Sequence, residues 1–293
     1  MKVTRRHLPH RFYRLILALA GRNVATSHRP AVPPTVGGRW QTGDMSPSTA
    51  DYRRWLLDDA ALLRAAAASS PQATVATCPG WTARDVVDHV GEVYAHKVAV
   101  LRLGRAPVEG EWPWAPEHDS VFAWYDERLA ELVRELDSRD GDDLSWTFIA
   151  ADQTVGFWWR RMAHETAIHR VDAELAVGLE PAAHDELQAV DGVAELLGFA
   201  GDPSVLDQPT SSIGANGTVM VDAGGSRLLV TMSDAGQSLA PAGSSTIADA
   251  YVKGTAPDLY RWLWNRPPEG PITQDGNSAV LRRLKARLAV GMD

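Results

Sequence analysis

Glu165 and His169 stand four residues apart in the run Arg160-Arg161-Met162-Ala163-His164-Glu165-Thr166-Ala167-Ile168-His169-Arg170. On an α-helix a four-residue step turns by about 40° at roughly 100° per residue, so a carboxylate and an imidazole share one face, one turn apart. Those are the donor types that bind zinc and related cations. The run also contains His164-Glu165 and invites the His-Glu-x-x-His metal motif, but the residue four beyond His164 is Ile168. His164 and His169 are five apart, about 140° around a helix, which does not suit one ion.

A metal needs more than two ligands, and His89 is the best candidate to complete the set. It follows the capping box Thr82-Ala83-Arg84-Asp85 by two turns and falls on the side shared by Val86, Val90, Val93 and Tyr94. An imidazole on an apolar face without a partner is costly to bury. His96, seven residues on, is the substitute; His118 reads as solvated, and His7, His10 and His28 lie in the amino-terminal tail. A His from one helix with Glu and His from another leaves room for water or substrate, as in catalytic zinc. The alternative is bland: a core histidine bonded to a carbonyl, and Glu165 with His169 as an ordinary helix pair. Arg160, Arg161 and Arg170 then form a solvated or salt-bridged face. Asp172, three beyond His169, either orients that imidazole or meets a cation such as Arg160.

Helices must position these residues. Leu56, Leu57, Ala60, Leu63 and Ala67 recur at helical spacing after Ser46-Pro47-Ser48 and predict a helix over about 48–69. The second runs from Thr82 to about Leu103, where Gly104 stops it, with Trp81 and Val86 as a hydrophobic staple and Cys78-Pro79-Gly80-Trp81 leading in. A loop with Trp112 and Trp114, a wall or lid, precedes a third helix over about 118–138. The fourth, about 155–178, carries Trp158, Met162, Glu165, His169 and Asp172 on one stripe. Four amphipathic helices make a bundle.

After Gly178 the pattern changes. Asp185–Leu197 reads as one more helix, and Thr218–Val221 and Leu228–Thr231 as strands of a hairpin around Gly224-Gly225. Thr246–Lys253 reads as a third strand, Thr255 caps a helix that ends before Pro267-Pro268, and Val280–Leu288 is a terminal helix. The fold class is α+β: an extension over 1–45 that reads as disordered, a four-helix bundle over 46–180, and a smaller α+β domain over 181–293.

The formal charge of −8 hides a split, because residues 1–44 carry eight Lys or Arg against Asp44 alone, +7, leaving −15 for the rest. An acidic body argues against nucleic acid or an anionic membrane surface as partner. Thr4-Arg5-Arg6 ahead of Leu15–Ala20 faintly resembles a targeting signal, but the apolar run is short and broken upstream by Arg14. Met45 stands just before the first helix, so the extension reads as dispensable for folding. No stretch has the length and apolarity of a membrane span. Cys78, the single cysteine, excludes an intramolecular disulfide and suits a reducing, cytoplasmic location.

Cys78-Pro79-Gly80-Trp81-Thr82-Ala83-Arg84-Asp85-Val86-Val87-Asp88-His89, followed by Arg160 through Ala173, resembles the mycothiol-dependent maleylpyruvate isomerase family, whose first domain is a DinB-like four-helix bundle. The resemblance covers about residues 48–290, since Gly254–Tyr260 and Trp264-Asn265-Arg266 look like that family's C-terminal domain, with Asn265 where the family often has Gly. It implies His89, Glu165 and His169 as metal ligands, zinc as the metal, and mycothiol as a thiol cosubstrate that adds to the cis double bond of maleylpyruvate before rotation and elimination. No protein nucleophile is then required, and Cys78 is a small buried residue rather than the reacting sulfur. Arg266 sits where the family places an arginine, either to hold a substrate carboxylate by two hydrogen bonds or as a helix-terminal cation.

Three readings follow. One is a metal-dependent thiol enzyme, an isomerase or S-transferase on a small electrophile. Another is a non-catalytic metal- and thiol-binding or regulatory module. The third is a structural bundle with a core histidine. The family name does not fix the substrate.

Overall fold

The computed structural model describes residues 46–116, 120–199, 214–234 and 236–290. Expectations placed on residues 1–45 and on His118 fall outside them.

Short polar side chains start the first helices. In α1 (Thr49–Ser69) the Ser48 hydroxyl accepts from the Asp51 N–H while the Asp51 carboxylate accepts from the Ser48 N–H, and Thr82 and Asp85 repeat this box at α2 (Ala83–Leu103). Gly104 ends α2 in the left-handed region, with φ 67°, a conformation without strain only when no Cβ is present. Next come α3 (Val121–Asp137) and α4 (Val155–Ala176), the latter capped by Thr154. Helix α1 packs along α4, and α2 along α3 and α4. Leu56, Leu63, Val90, Tyr94, Tyr125, Leu132, Trp158 and Met162 fill the space between them.

Helix α4 departs from the single-stripe expectation, because every residue from Arg161 to Glu174 is buried. A helix covered on all sides is a central one. Its second covered side, with Ala167 and Ile168, belongs to the next core, together with α5 (Glu186–Phe199), the sheet, α6 (Ala256–Leu263) and α7 (Ser278–Val290). Helices and strands thus share α4 as a common wall. At one point contact is very close: a Cβ on Gly192 of α5 would lie 2.3 Å from Tyr260 of α6.

The sheet has the order β3-β2-β1-β4-β5. Strands β1 (Gly217–Ala223) and β2 (Ser226–Ser233) form the expected antiparallel hairpin with Val219 opposite Val230. Gly224 and Gly225 turn it at φ 62° and 101°, the positive pair a two-residue hairpin requires. Strand β4 (Ala250–Gly254) lies parallel to β1 and begins later than the sequence pattern suggests. Strands β3 (Gly236–Pro241) and β5 (Thr273–Gly276) were not expected. They are edges: β3 contains Gly and Pro, and all four residues of β5 are exposed, so neither shows apolar alternation. After α6, capped by Thr255, Asn265 is the one non-glycine among the described residues with positive φ, 58°. Asparagine tolerates that conformation, which accounts for it at a position where glycine is common. Among the described residues no helix is long and apolar enough to cross a membrane.

Candidate metal centre

The box at Thr82 fixes the start of α2 and so the rotation of His89, while Thr154 fixes that of Glu165 and His169 on α4. The two helices bring His89 Nε2 to 3.2 Å and His169 Nε2 to 3.4 Å from the same oxygen, Glu165 Oε1. All three side chains are buried, and their ligand atoms lie within 4.8 Å of one another. A tetrahedral ion with ligands at about 2.0–2.1 Å spaces its donor atoms by about 3.3 Å, so these separations fit a cation held between them.

His169 and Glu165 are also held from behind. Asp172 Oδ2 is 2.9 Å from His169 Nδ1, so the ring proton belongs on Nδ1 and the Nε2 lone pair faces Glu165. Two acceptors 3.4 Å apart repel unless a proton or a metal lies between them. Burial disfavours the charged imidazolium of His169, but its bonds to Asp172 and Glu165 outweigh this and raise its pKa. His89 goes the other way, with burial holding its pKa down. Glu165 Oε2 accepts from Arg161 Nη2 at 2.9 Å; burial opposes its charge, and the two histidines and Arg161 override that, keeping it ionised well below the ordinary carboxylate range.

Asp172 therefore does both things weighed for it, but its cation is Arg266 rather than Arg160. Arg266 donates through Nε to Oδ1 at 2.9 Å and through Nη2 to Oδ2 at 2.6 Å, and its Nη1 donates to the Trp264 carbonyl at 2.6 Å. Thr77 Oγ1 donates to Asp172 as well, at 2.5 Å. The fork of Arg266 that the sequence suggested for a substrate carboxylate thus grips a carboxylate of the protein. Cys78 lies beside the same pair, its Sγ 3.6 Å from Asp172 Oδ2 and 3.5 Å from Arg266 Nη2. Burial and the Asp172 charge push its thiol up to about 12, so it stays protonated at neutral pH.

The other sequence candidates lie elsewhere. His164 faces away, with Nε2 2.8 Å from Asp191 and Nδ1 3.2 Å from the Tyr260 hydroxyl. His96 is beside Lys97 and Trp112, not at the ligands. Arg160, Arg161 and Arg170 are salt-bridged, to Asp191, to Glu195 and Glu165, and to Asp59 and Glu174, and Arg161 and Arg170 are buried rather than solvated. Trp81, expected as a staple, also walls the site: its ring is 5.0 Å from that of His89 and stacks at 6.2 Å over that of His169. Its place in the lead-in to α2 was visible in the sequence; the ring's direction was not.

Residues 52–174 match the family model described as the mycothiol maleylpyruvate isomerase N-terminal domain, and residues 188–283 match the C-terminal domain of the same family. The chain belongs to the mycothiol maleylpyruvate isomerase family. Membership carries a mycothiol-associated, maleylpyruvate isomerase-like function at the level of the family, with a small molecule and a thiol as substrates. No curated protein and no solved structure matches the chain. The two matched segments account for both the helical part and the strand-rich part, and Arg266 falls within the second.

Proposed function

We propose that the chain is a metal-dependent enzyme that uses mycothiol, with His89, Glu165 and His169 as ligands of a divalent metal, zinc by its donor set. Its reaction is a thiol-assisted isomerisation, or a thiol S-transfer, on a small electrophilic substrate. The observation that carries this reading is the convergence of two imidazole nitrogens on one carboxylate oxygen at 3.2 and 3.4 Å, with the far nitrogen of His169 already committed to Asp172. Bound there, zinc would supply Lewis acidity, lowering the pKa of a thiol and stabilising negative charge on a neighbouring carbonyl.

The protein's own residues prepare that chemistry. Asp172 keeps the His169 Nε2 lone pair turned inward, and Arg266 and Thr77 keep Asp172 ionised and fixed. Arg266 is on this reading a positioning residue that acts through Asp172 and His169. Arg161 ties down Glu165 Oε2 so that Oε1 meets both histidines. Trp81 covers the two imidazoles and restricts water. Cys78, protonated, leaves the nucleophile's part to the cosubstrate thiol. A cytoplasmic location belongs to the same reading, since the cosubstrate must stay reduced.

Metal analysis of wild type and His89→Ala, followed by assays with and without mycothiol on maleylpyruvate and common electrophiles, tests this. Wild type should hold stoichiometric metal and turn over only with thiol. Metal retained in full by His89→Ala would sink the ligand set, and turnover without thiol would sink the mechanism. Metal and thiol binding with no turnover over the panel would make the chain a binding module instead.

A further inference from the structure

Two turns beyond His89 on α2, and two turns before Glu165 on α4, lies a second buried polar cluster: His96, Lys97 and Trp158, closed over by Trp112 from the loop after α2. At 1.5 Å per residue it sits about 10 Å from the ligand set. Lys97 and His96 are each only 2% exposed. Lys97 Nζ donates to His96 Nδ1 at 3.0 Å and lies 4.8 Å from the centre of the Trp158 ring. No carboxylate pairs with this ammonium among the described residues. Burial brings its pKa down to about 7, against the pull of the Glu165 charge, and Arg161 adds to the lowering.

The chemistry of the cluster is one-sided. His96 Nδ1 accepts from Lys97, so the ring's own proton is on Nε2; burial and the Lys97 charge keep the ring neutral, consistent with that tautomer. Among the described residues His96 Nε2 and Trp112 Nε1 are both buried without a hydrogen-bond partner, and the two rings meet edge to face at 4.8 Å. An imidazole N–H and an indole N–H without acceptors are thus gathered beside an ammonium whose one hydrogen-bond acceptor is the neutral His96 Nδ1. Buried donors without acceptors lower stability, and a fold that keeps two of them beside a buried ammonium offers a place suited to an anion. Trp112, Trp114 and Trp158 supply aromatic surface beside it.

We propose that His96, Lys97 and Trp112 form an anion subsite that binds the carboxylate of a small organic acid, with Lys97 as its specificity-determining cation. The inference rests on the proposed enzymatic reading only in making this acid the substrate; the about 10 Å to the ligand set is a distance that an acid joined to a thiol can span. It assigns to Lys97 the role the sequence suggested for Arg266, whose guanidinium is engaged with Asp172.

The test measures binding of pyruvate and succinate, with methyl pyruvate and dimethyl succinate as uncharged controls, to the full-length protein by calorimetry and tryptophan fluorescence, with metal content determined on the same samples. Wild type should bind the acids and not the esters, and Lys97→Met should weaken the acids at least tenfold while keeping its metal. Trp112→Phe, which keeps an aromatic ring and removes the N–H, should weaken them less. Because Lys97→Met removes a buried charge, its melting temperature should equal or exceed that of wild type; a lower one together with unchanged acid binding marks Lys97 as structural and overturns the proposal. Acids bound equally by Lys97→Met, esters bound as well as acids, or no binding to wild type up to about 100 mM overturn it too. Lys97-dependent binding by a protein without metal would sink the metal reading and leave this subsite standing.

Discussion

His164 and His169 are five residues apart on one buried helix and live in different chemistry. On the His164 side each nitrogen has a partner, Asp191 at 2.8 Å and the Tyr260 hydroxyl at 3.2 Å, and Asp191 is shared with Arg160 and with the Tyr52 hydroxyl. On the His169 side one nitrogen is committed to Asp172 and the other points at Glu165 Oε1, which His89 approaches as well. Both clusters are buried and rich in charge, so burial and charge do not separate a structural network from a candidate metal centre. What separates them is that two imidazole nitrogens converge on one oxygen of Glu165, while only one meets Asp191. The first cluster closes on itself, and the second is the one whose donor atoms suit a shared cation, as proposed above.

That contrast can be broken most sharply by paired substitutions. His169→Ala should remove bound metal and lower thiol-dependent turnover by about a thousandfold, while His164→Ala should keep the metal and lower unfolding free energy by about 2–3 kcal/mol, because it strips partners from Asp191 and Tyr260. Metal content and denaturant unfolding of both variants decide it; equal metal loss would erase the distinction. Asp172→Asn comes next. It leaves all three ligands in place and should weaken metal affinity by about 10- to 100-fold, measured by competition with a chelator.

The His164 side has its own signature in acid. Burial opposes the charge of Asp191, but Arg160 and His164 outweigh it and lower its pKa from 3.8 to about 2. A carboxylate with a depressed folded pKa stabilises the fold above its ordinary pKa and loses that contribution as pH falls through the folded value. Wild type should therefore lose about 2 kcal/mol between roughly pH 4 and pH 2 that Asp191→Asn does not lose, read from unfolding curves across that window. The smallest effect is expected at Cys78. Cys78→Ser should change thiol-dependent turnover by less than about twofold, since its thiol is raised to about 12; a large loss would restore it as a reacting sulfur.

Much of the scaffold was legible because local chemistry announces it. The entry at Ser46-Pro47-Ser48, the caps at Thr82 and Thr255 and the stop at Gly104 mark helix ends within a residue or two, and the four-residue step from Glu165 to His169 puts both on one face. Strands β3 and β5 were not legible, because an exposed edge strand carries no apolar alternation. Nor was the partner of Arg266, since Asp172 is 94 residues away and no periodicity links them. The resemblance to the family pointed to the arginine but not to what it holds. Lys97 escaped notice for a related reason: on a helix wheel a lysine reads as solvent-facing, and only the cover provided by α4 and Trp112 puts it inside.

The bond from Arg266 to Asp172 ties the strand-rich part of the chain to a carboxylate in the helical part that meets no other arginine among the described residues. Cutting the chain near residue 180 would strand a fully buried anion behind His169, so the bundle is not electrostatically complete by itself. A substitution in the second segment at Arg266 would therefore retune the electron richness of His169 without altering His89, Glu165 or His169.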